Sequence, residues 1–196
     1  MIRFLKNIVI FMLSIDKYIL YKIYNFDKWH SQIIYGEKYS DHIIKHINKN
    51  IEAESILEIG CGLGNILLRT NVKYKTGLDQ SIEVLKAARL ISRFRFVNAK
   101  FRVSSFLEEN LSEKYDIILL VNWPHIIDKF TLKNKLNDLF NKNLNKNGSI
   151  IIDTVSHNSY TYNHNIDFLV KELDCKIIKI GSFSKGREVW RILRKK

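Results

Sequence analysis

From residue 55 onward the apolar positions fall into short β-type runs: SILEIG (55–60), YKTGLD (74–79), KFRVSSF (100–106), YDIILLVN (115–122) and SIIIDTV (149–155). Between them lie helical patterns such as SIEVLKAARLI and TLKNKLNDLFNKNL. Strands that alternate with helices predict parallel βαβ units, with helices on both faces of one sheet. NKNGS at 145–149 stops a helix ahead of the fifth strand and leaves Gly148 free to take a positive φ. After a final helix around 163–173, CKIIKIGSF and EVWRILRK flank the turn SKGR and predict an antiparallel hairpin. Five parallel strands closed by a hairpin make an open sheet, which binds its ligands beyond the carboxyl ends of the strands.

Upstream the rhythm differs. MIRFLKNIVIFMLSIDKYILYKIY is a mostly apolar helical pattern with Arg3, Lys6, Asn7, Ser14 and Lys17 along one stripe. Asp16 and Lys17 interrupt it before it spans a bilayer, and no small-residue cleavage site follows. Residues 1–24 therefore either lie on a membrane surface or pack on the domain as a lid. A chain of 196 residues suits one compact domain, divided here into an N-terminal helical segment (1–53) and an α/β core (54–196).

Charge and cysteines narrow the picture a little. The net charge, 32 − 20 = +12, suits nucleic acid, anionic lipid or an acidic substrate, although abundant Ile, Asn and Lys also arise from AT-rich coding alone. Cys61 and Cys175 show no CxxC or Cys/His metal spacing, which points to a reducing, cytoplasmic setting with no metal. His42 and His46 share a helical face at i, i+4, but no HExxH pattern or downstream acid accompanies them, so they are read as surface histidines.

The first strand runs into Glu58-Ile59-Gly60-Cys61-Gly62-Leu63-Gly64-Asn65, after which ILLRT reads as the start of a helix. Glycines placed there allow a tight turn and leave bare backbone for a ligand. A dinucleotide fingerprint wants its third glycine where Asn65 stands, whereas Gly64 comes one position early, which weighs against a nicotinamide cofactor. Asp79 ends the second strand, where an acid accepts from both ribose hydroxyls. Gln80 and Ser81 precede a helix, so a cap is the other reading of Asp79.

In this order and spacing, ILEIGCGLGN, the GLDQS turn, the YDIIL strand and the LNKNGSIII strand resemble the class I S-adenosylmethionine-dependent methyltransferases over residues 54 to 155. The resemblance implies a Rossmann-like, doubly wound, mostly parallel seven-stranded sheet, with a C-terminal antiparallel hairpin, an N-terminal helical cover and S-adenosylmethionine as cofactor. It implies that Glu58 helps hold the methionine end, that Gly60, Cys61, Gly62 and Gly64 pack against the cofactor, that Asp79 binds ribose and that Gln80 borders the adenine. Ser105 stands where the family usually has an Asp beside the adenine.

The one proline, Pro124, lies in Asn122-Trp123-Pro124-His125, at the end of the fourth strand. The resemblance places this turn where cofactor and acceptor meet. Amino methyltransferases carry Asn-Pro-Pro-aromatic here, and this chain keeps only the Asn and the second proline, so DNA adenine or cytosine methylation is not inferred. Pro124 fixes the turn, Asn122 faces the cofactor, and His125 either takes a proton from an acceptor hydroxyl or shapes the pocket by bonding backbone. Trp123 is a packing residue or a stacking platform.

The segment before the first strand is dense in rings. Its DKWH-x-x-x-x-Y arrangement, with Tyr39 further on, is similar to a group of bacterial methyltransferases linked to surface-polysaccharide synthesis. Rings beside imidazole and carboxylate suit a sugar, which makes Trp29 and His30 candidate acceptor contacts, with His30 a second candidate base. The same rings also suit a core staple. His157 and Tyr160, in the loop after the fifth strand, are further acceptor candidates. The expected function is methyl transfer to a hydroxyl of a glycan, sugar nucleotide or lipid-linked sugar intermediate. The alternatives are a small metabolite or lipid-like acceptor, or a non-catalytic cofactor-binding member that acts on a partner protein. With no recognition module and no basic-aromatic stripe along the sequence, nucleic acid is not the expected partner.

Overall fold

The computed structural model describes residues 18–31, 38–106 and 111–195. Its strands are β1 (Ser55–Ile59), β2 (Tyr74–Asp79), β3 (Lys100–Val103), β4 (Tyr115–Leu120), β5 (Leu144–Thr154), β6 (Cys175–Phe183) and β7 (Arg187–Arg194). They form one seven-stranded sheet in the order β3-β2-β1-β4-β5-β7-β6. Strands β1 to β5 run parallel, and β7 lies antiparallel to both β5 and β6. This is the Rossmann-like, doubly wound sheet with a C-terminal hairpin that the sequence predicts.

Six helices accompany the sheet among the described residues: α1 (18–24), α2 (Lys28–Ser31), α3 (Lys38–Asn50), α4 (Ile82–Phe94), α5 (Lys129–Asp138) and α6 (Ile166–Val170). The central strand β4 shows why both faces need cover. Its Ile117 and Leu119 enter one apolar cluster and its Ile118 and Leu120 the other, and all four are fully buried. A continuous apolar run of this kind is what a parallel strand covered on both faces requires. On one face α3 contributes Ile43, Ile44 and Ile47, and α4 contributes Leu85 and Ala88. On the other, α5 contributes Leu132 and Leu136, and α6 contributes Leu169. Helix α1 packs outside α4, where Leu20 joins Val84 and Ala87 in a third cluster.

Two expectations need correction. The glycine loop does not open an α-helix: ILLRT gives only a 3-10 turn, Leu67–Arg69. Thr70 ends it, donating its hydroxyl to the Leu67 carbonyl at 2.9 Å, and β2 begins four residues later. The missing helix is replaced from upstream, because α3 lays Ile43 and Ile47 into the cluster that holds Leu67. Gly148, for its part, does not adopt a positive φ. Close approach is what excludes a side chain there, since an added Cβ would lie 2.9 Å from the Asp116 carbonyl oxygen and 2.9 Å from Leu144.

The entry side of the sheet is pinned by Asp116 on β4. Its Oδ2 accepts from the Glu54 and Ser55 backbone N–H groups at 3.0 and 2.9 Å and from the Ser55 hydroxyl at 2.9 Å. Its Oδ1 accepts from the Asn145 amide at 2.7 Å. One carboxylate thus fixes the starts of β1, β4 and β5. Replacing Asp116 with Ala strands several of these donors, so we expect a loss of about 2–3 kcal/mol of stability. The check is a lower urea midpoint at an unchanged m-value.

Candidate active site

At the carboxyl ends of the strands, the chain after β1 passes through Gly60, Gly62 and Gly64 at φ values of 70°, 52° and 74°. These left-handed conformations explain the glycines, because other residues are strained there. No α-helix anchors the loop, and two buried carboxylates hold it instead. Asp79, at the end of β2, accepts from Gly62 N–H at 2.9 Å through Oδ2 and from Ser81 N–H at 3.0 Å through Oδ1. Glu58 accepts from Leu67 N–H at 3.0 Å. The helix cap is Ser81, whose hydroxyl accepts from Val84 N–H at 3.2 Å, so Asp79 is free of that task and retains lone pairs toward the open end of the sheet.

Burial dominates the electrostatics of this half. It raises the Glu58 carboxyl to about 8, opposed by the Leu67 hydrogen bond and reinforced by the Asp79 charge. Glu58 is therefore mostly protonated at neutral pH. Cys61 is held by its N–H, which donates to the Leu78 carbonyl at 2.9 Å. Its sulfur turns into the core, 2.8 Å from where a Cβ on Gly77 would lie, and burial pushes the thiol pKa well up. Only its backbone can meet a ligand.

Two rings lie over the loop. A Cβ on Gly60 would overlap the Trp123 indole, whose Nε1–H donates to the Ile59 carbonyl at 2.5 Å. The Trp123 ring also meets Phe106 edge-on at 4.4 Å. A Cβ on Gly62 would lie 3.1 Å from His30 Nδ1. Burial lowers the His30 pKa, while Asp79 and Asp27 act to raise it. His30 thus reaches the glycine loop and lies near Asp79. Phe26 meets it edge-on at 6.1 Å. The Trp29 side chain lies outside the described residues. Gln80 is exposed at the rim. Ser105 is half-buried beside Ser104, whose N–H donates to the Asp79 carbonyl at 2.9 Å.

The Asn122-Trp123-Pro124-His125 turn divides the site. Trp123 folds back over the loop, whereas His125 goes the other way and meets Tyr160 edge-on at 4.7 Å. Asn122 sits at φ 76°. Its N–H donates to Asp153 Oδ1 at 2.9 Å, and its Oδ1 accepts from Arg187 at 3.4 Å. Pro124 opens a 3-10 turn (Pro124–Ile126), and its carbonyl accepts from His164 Nε2–H at 3.0 Å. Burial, then the Arg187 and His164 charges, lowers His125 to about 4. Its buried Nδ1 has no hydrogen-bond partner among the described residues. His157 is exposed and bonds its own loop through Ser159 at 2.8 Å, 6.5 Å from the Tyr160 ring centre.

Arg187 and Asp153 were not singled out from the sequence. They form an ion pair between β7 and β5, with side chains 7% and 1% exposed. The Arg187 guanidinium also lies over the rings of Tyr39 at 4.7 Å and Tyr160 at 5.7 Å, and donates to the Tyr160 hydroxyl at 3.3 Å. The signal was present: an acid inside the apolar strand SIIIDTV needs a buried partner.

A glycine loop and a strand-end acid at the open edge of a doubly wound sheet define a nucleotide-type cofactor site. Residues 50–193 match the family model described as a methyltransferase domain, and the chain belongs to that family. Its methyl donor is S-adenosylmethionine. The residues fit such a donor, since the three glycines expose backbone beside a buried acid at the end of β2 and a second carboxyl under the loop. No curated protein sequence matches the chain. Among solved structures it is similar to the N-methyltransferase NodS of Bradyrhizobium japonicum in complex with S-adenosyl-L-homocysteine, with a TM-score of 0.70 at 13% identity, over 92% of this chain and 98% of that one. The magnesium protoporphyrin IX methyltransferase of Synechocystis, with bound S-adenosylmethionine, gives 0.69 at 12% identity, over 97% of each chain. A Nostoc punctiforme protein provisionally described as an O-methyltransferase gives 0.68 at 16% identity over 80% of this chain, which spans only 56% of that protein. At such identities the likeness is one of fold.

The raised Glu58 carboxyl yields a pH test. Its contribution to stability is complete below the unfolded value of 4.5 and is lost as pH rises through the folded value of about 8. Denaturation between pH 5 and 9 should show wild-type stability falling toward the alkaline end. Glu58→Gln, which keeps an acceptor for Leu67 N–H, should flatten that fall.

Proposed function

We propose that the protein transfers a methyl group from S-adenosylmethionine to a hydroxyl of a polar, ring-shaped acceptor: a glycan, a sugar nucleotide or a lipid-linked sugar. The carrying observation is the acceptor-side wall. There the His125 imidazole, whose buried Nδ1 has no partner among the described residues, stands edge-on to Tyr160 beside the Asn122 turn. Rings that stack on apolar sugar faces, next to groups that hydrogen-bond hydroxyls, suit this substrate class.

The donor supplies a methyl already activated on a sulfonium. What remains for this chain is to align the acceptor, exclude water and receive its proton. On this reading Asp79 and the glycine loop hold the nucleoside, and Glu58 stiffens the loop beneath the methionine end. Trp123 and His30 line or shift from the space over Gly60 and Gly62. His30 then belongs to the cofactor side and His125 to the acceptor side, which favours His125 as the group that accepts the hydroxyl proton. Burial first, and then the Arg187 charge, keep it neutral, so it is an acceptor throughout the physiological range.

Calorimetry with S-adenosylhomocysteine, and NAD as control, tests the cofactor assignment. Binding of the first and not of the second is expected, and Asp79→Ala should weaken it strongly. An Asp79→Ala variant with an unchanged dissociation constant would remove the ribose assignment. For His125, the variant Ala should leave that binding intact and lower turnover by about 10²-fold on a sugar acceptor. The acid limb of the wild-type rate profile should fall near pH 4, where His125 takes up its proton, with no inflection near 6.5. Full activity in His125→Ala would remove it from the proton-accepting role.

A further inference from the structure

On the outside of the helical layer, α4 ends in a way that costs stability with no internal return. The C-cap is Arg95. Phe96 N–H donates to the Arg93 carbonyl at 3.1 Å and Val97 N–H to the Ser92 carbonyl at 3.0 Å. This is the Schellman arrangement, whose left-handed position is normally filled by glycine. Here it holds Phe96, at φ 54° and 96% exposed. Phe94, two residues earlier, is 75% exposed. Among the described residues, a bulky ring in a strained and almost fully exposed conformation breaks a local folding rule without a compensating contact.

The surroundings supply charge and further apolar surface. Residues 86–100 contain Lys86, Arg89, Arg93, Arg95 and Lys100 and no acid. A cavity of about 470 Å³ opens beside the ring, lined by Arg89, Ser92, Arg93, Phe96, Val97 and Asn98 among others, and Arg89 is fixed there by donating to the Phe101 carbonyl at 2.8 Å. Helix α1 shares an apolar cluster with α4, so the outer faces of the two belong to one side of the molecule. Away from that cluster, α1 exposes Tyr18, Ile19 and Ile23 next to Lys22. The apolar, basic-edged sequence of residues 1–17, which lies outside the described residues, leads directly into this helix. Among the described residues no helix is long and apolar enough to cross a membrane.

We propose that the outer face of the α1–α4 layer docks on an anionic membrane surface, with Phe94 and Phe96 entering the headgroup boundary and Arg89, Arg93 and Lys22 meeting lipid phosphates. Charge complementarity alone would also admit RNA. The apolar complement decides for lipid: Ile19 and Ile23 have no ring to stack on a base, and Phe94 and Phe96 project from a helix end, unlike rings that line a groove. Only the buried side of α1 meets the glycine loop, through Leu63, so the exposed residues named here do not depend on which acceptor is methylated.

The test is sedimentation of the full chain with vesicles of equal parts phosphatidylcholine and phosphatidylglycerol, against phosphatidylcholine alone. Binding to the mixed vesicles only is expected, and Phe94→Ser/Phe96→Ser should lower the partition coefficient by about tenfold. Phe96→Gly separates function from folding, because it should raise the thermal midpoint by a few degrees while lowering vesicle binding. Calorimetry with S-adenosylhomocysteine on each variant reports an intact core and keeps this proposal separable from the cofactor assignment. Wild-type partitioning in the double variant would overturn the proposal, because the exposed end of α4 would then contribute nothing to binding. A chain that ignores both vesicles but binds a single-stranded RNA oligonucleotide would overturn it in favour of nucleic acid.

Discussion

The buried Arg187–Asp153 pair is the constraint on which the Asn122 turn and the wall beside it depend. Removing either charge would leave the other unpaired in a low-dielectric interior, which is far more costly than losing a surface ion pair. The pair also carries geometry. Asp153 holds the Asn122 N–H, and Arg187 bonds the Asn122 side chain and packs on Tyr160 and Tyr39. Asn122 can therefore stay in a left-handed conformation that few residues other than glycine accept. That conformation sends Trp123 and His125 to opposite sides of one turn.

The two halves of the site share an electrostatic design. Burial keeps Glu58 protonated beneath the glycine loop, and burial reinforced by the Arg187 charge keeps His125 deprotonated beside Tyr160. In both cases the neutral form is the one that low dielectric favours. Fixed charge is left at Asp79, where backbone N–H groups stabilise it, and in the Arg187–Asp153 pair, where it is self-compensated.

Much of this was legible in the sequence because local pattern and tertiary role coincide. The strand runs are apolar because both faces are covered, and the Gly60, Gly62 and Gly64 spacing shows directly as three left-handed residues. Where local pattern and tertiary role part, the reading fails. ILLRT has helix-forming residues, but β2 must start so soon afterwards that one turn is all that fits, and α3 takes over the covering role. Gly148 looked like a turn residue and is a close-approach residue. Arg187 was invisible because a basic residue after a glycine reads as a solvated turn until Asp153 is seen beneath it. Phe96 hid for the opposite reason, since an aromatic at a helix end is assumed to be buried.

Helix α3 packs against elements that come much later in the chain. Tyr39 stands on Arg187 and edge-on to Phe183 at 6.1 Å, while His42 meets Phe183 at 5.7 Å. During synthesis α3 is made before β1, yet its partners on β6 and β7 emerge only after all five parallel strands. The sheet can pair strand by strand as it leaves the ribosome, but this lock closes only when the hairpin arrives. Until then, Ile43 and Ile47 lack part of their final surroundings and Asp153 lacks its counter-charge. The Asn122–Tyr160 wall is thus completed after the parallel strands, and a nascent chain acquires its glycine loop before Arg187 reaches Asp153.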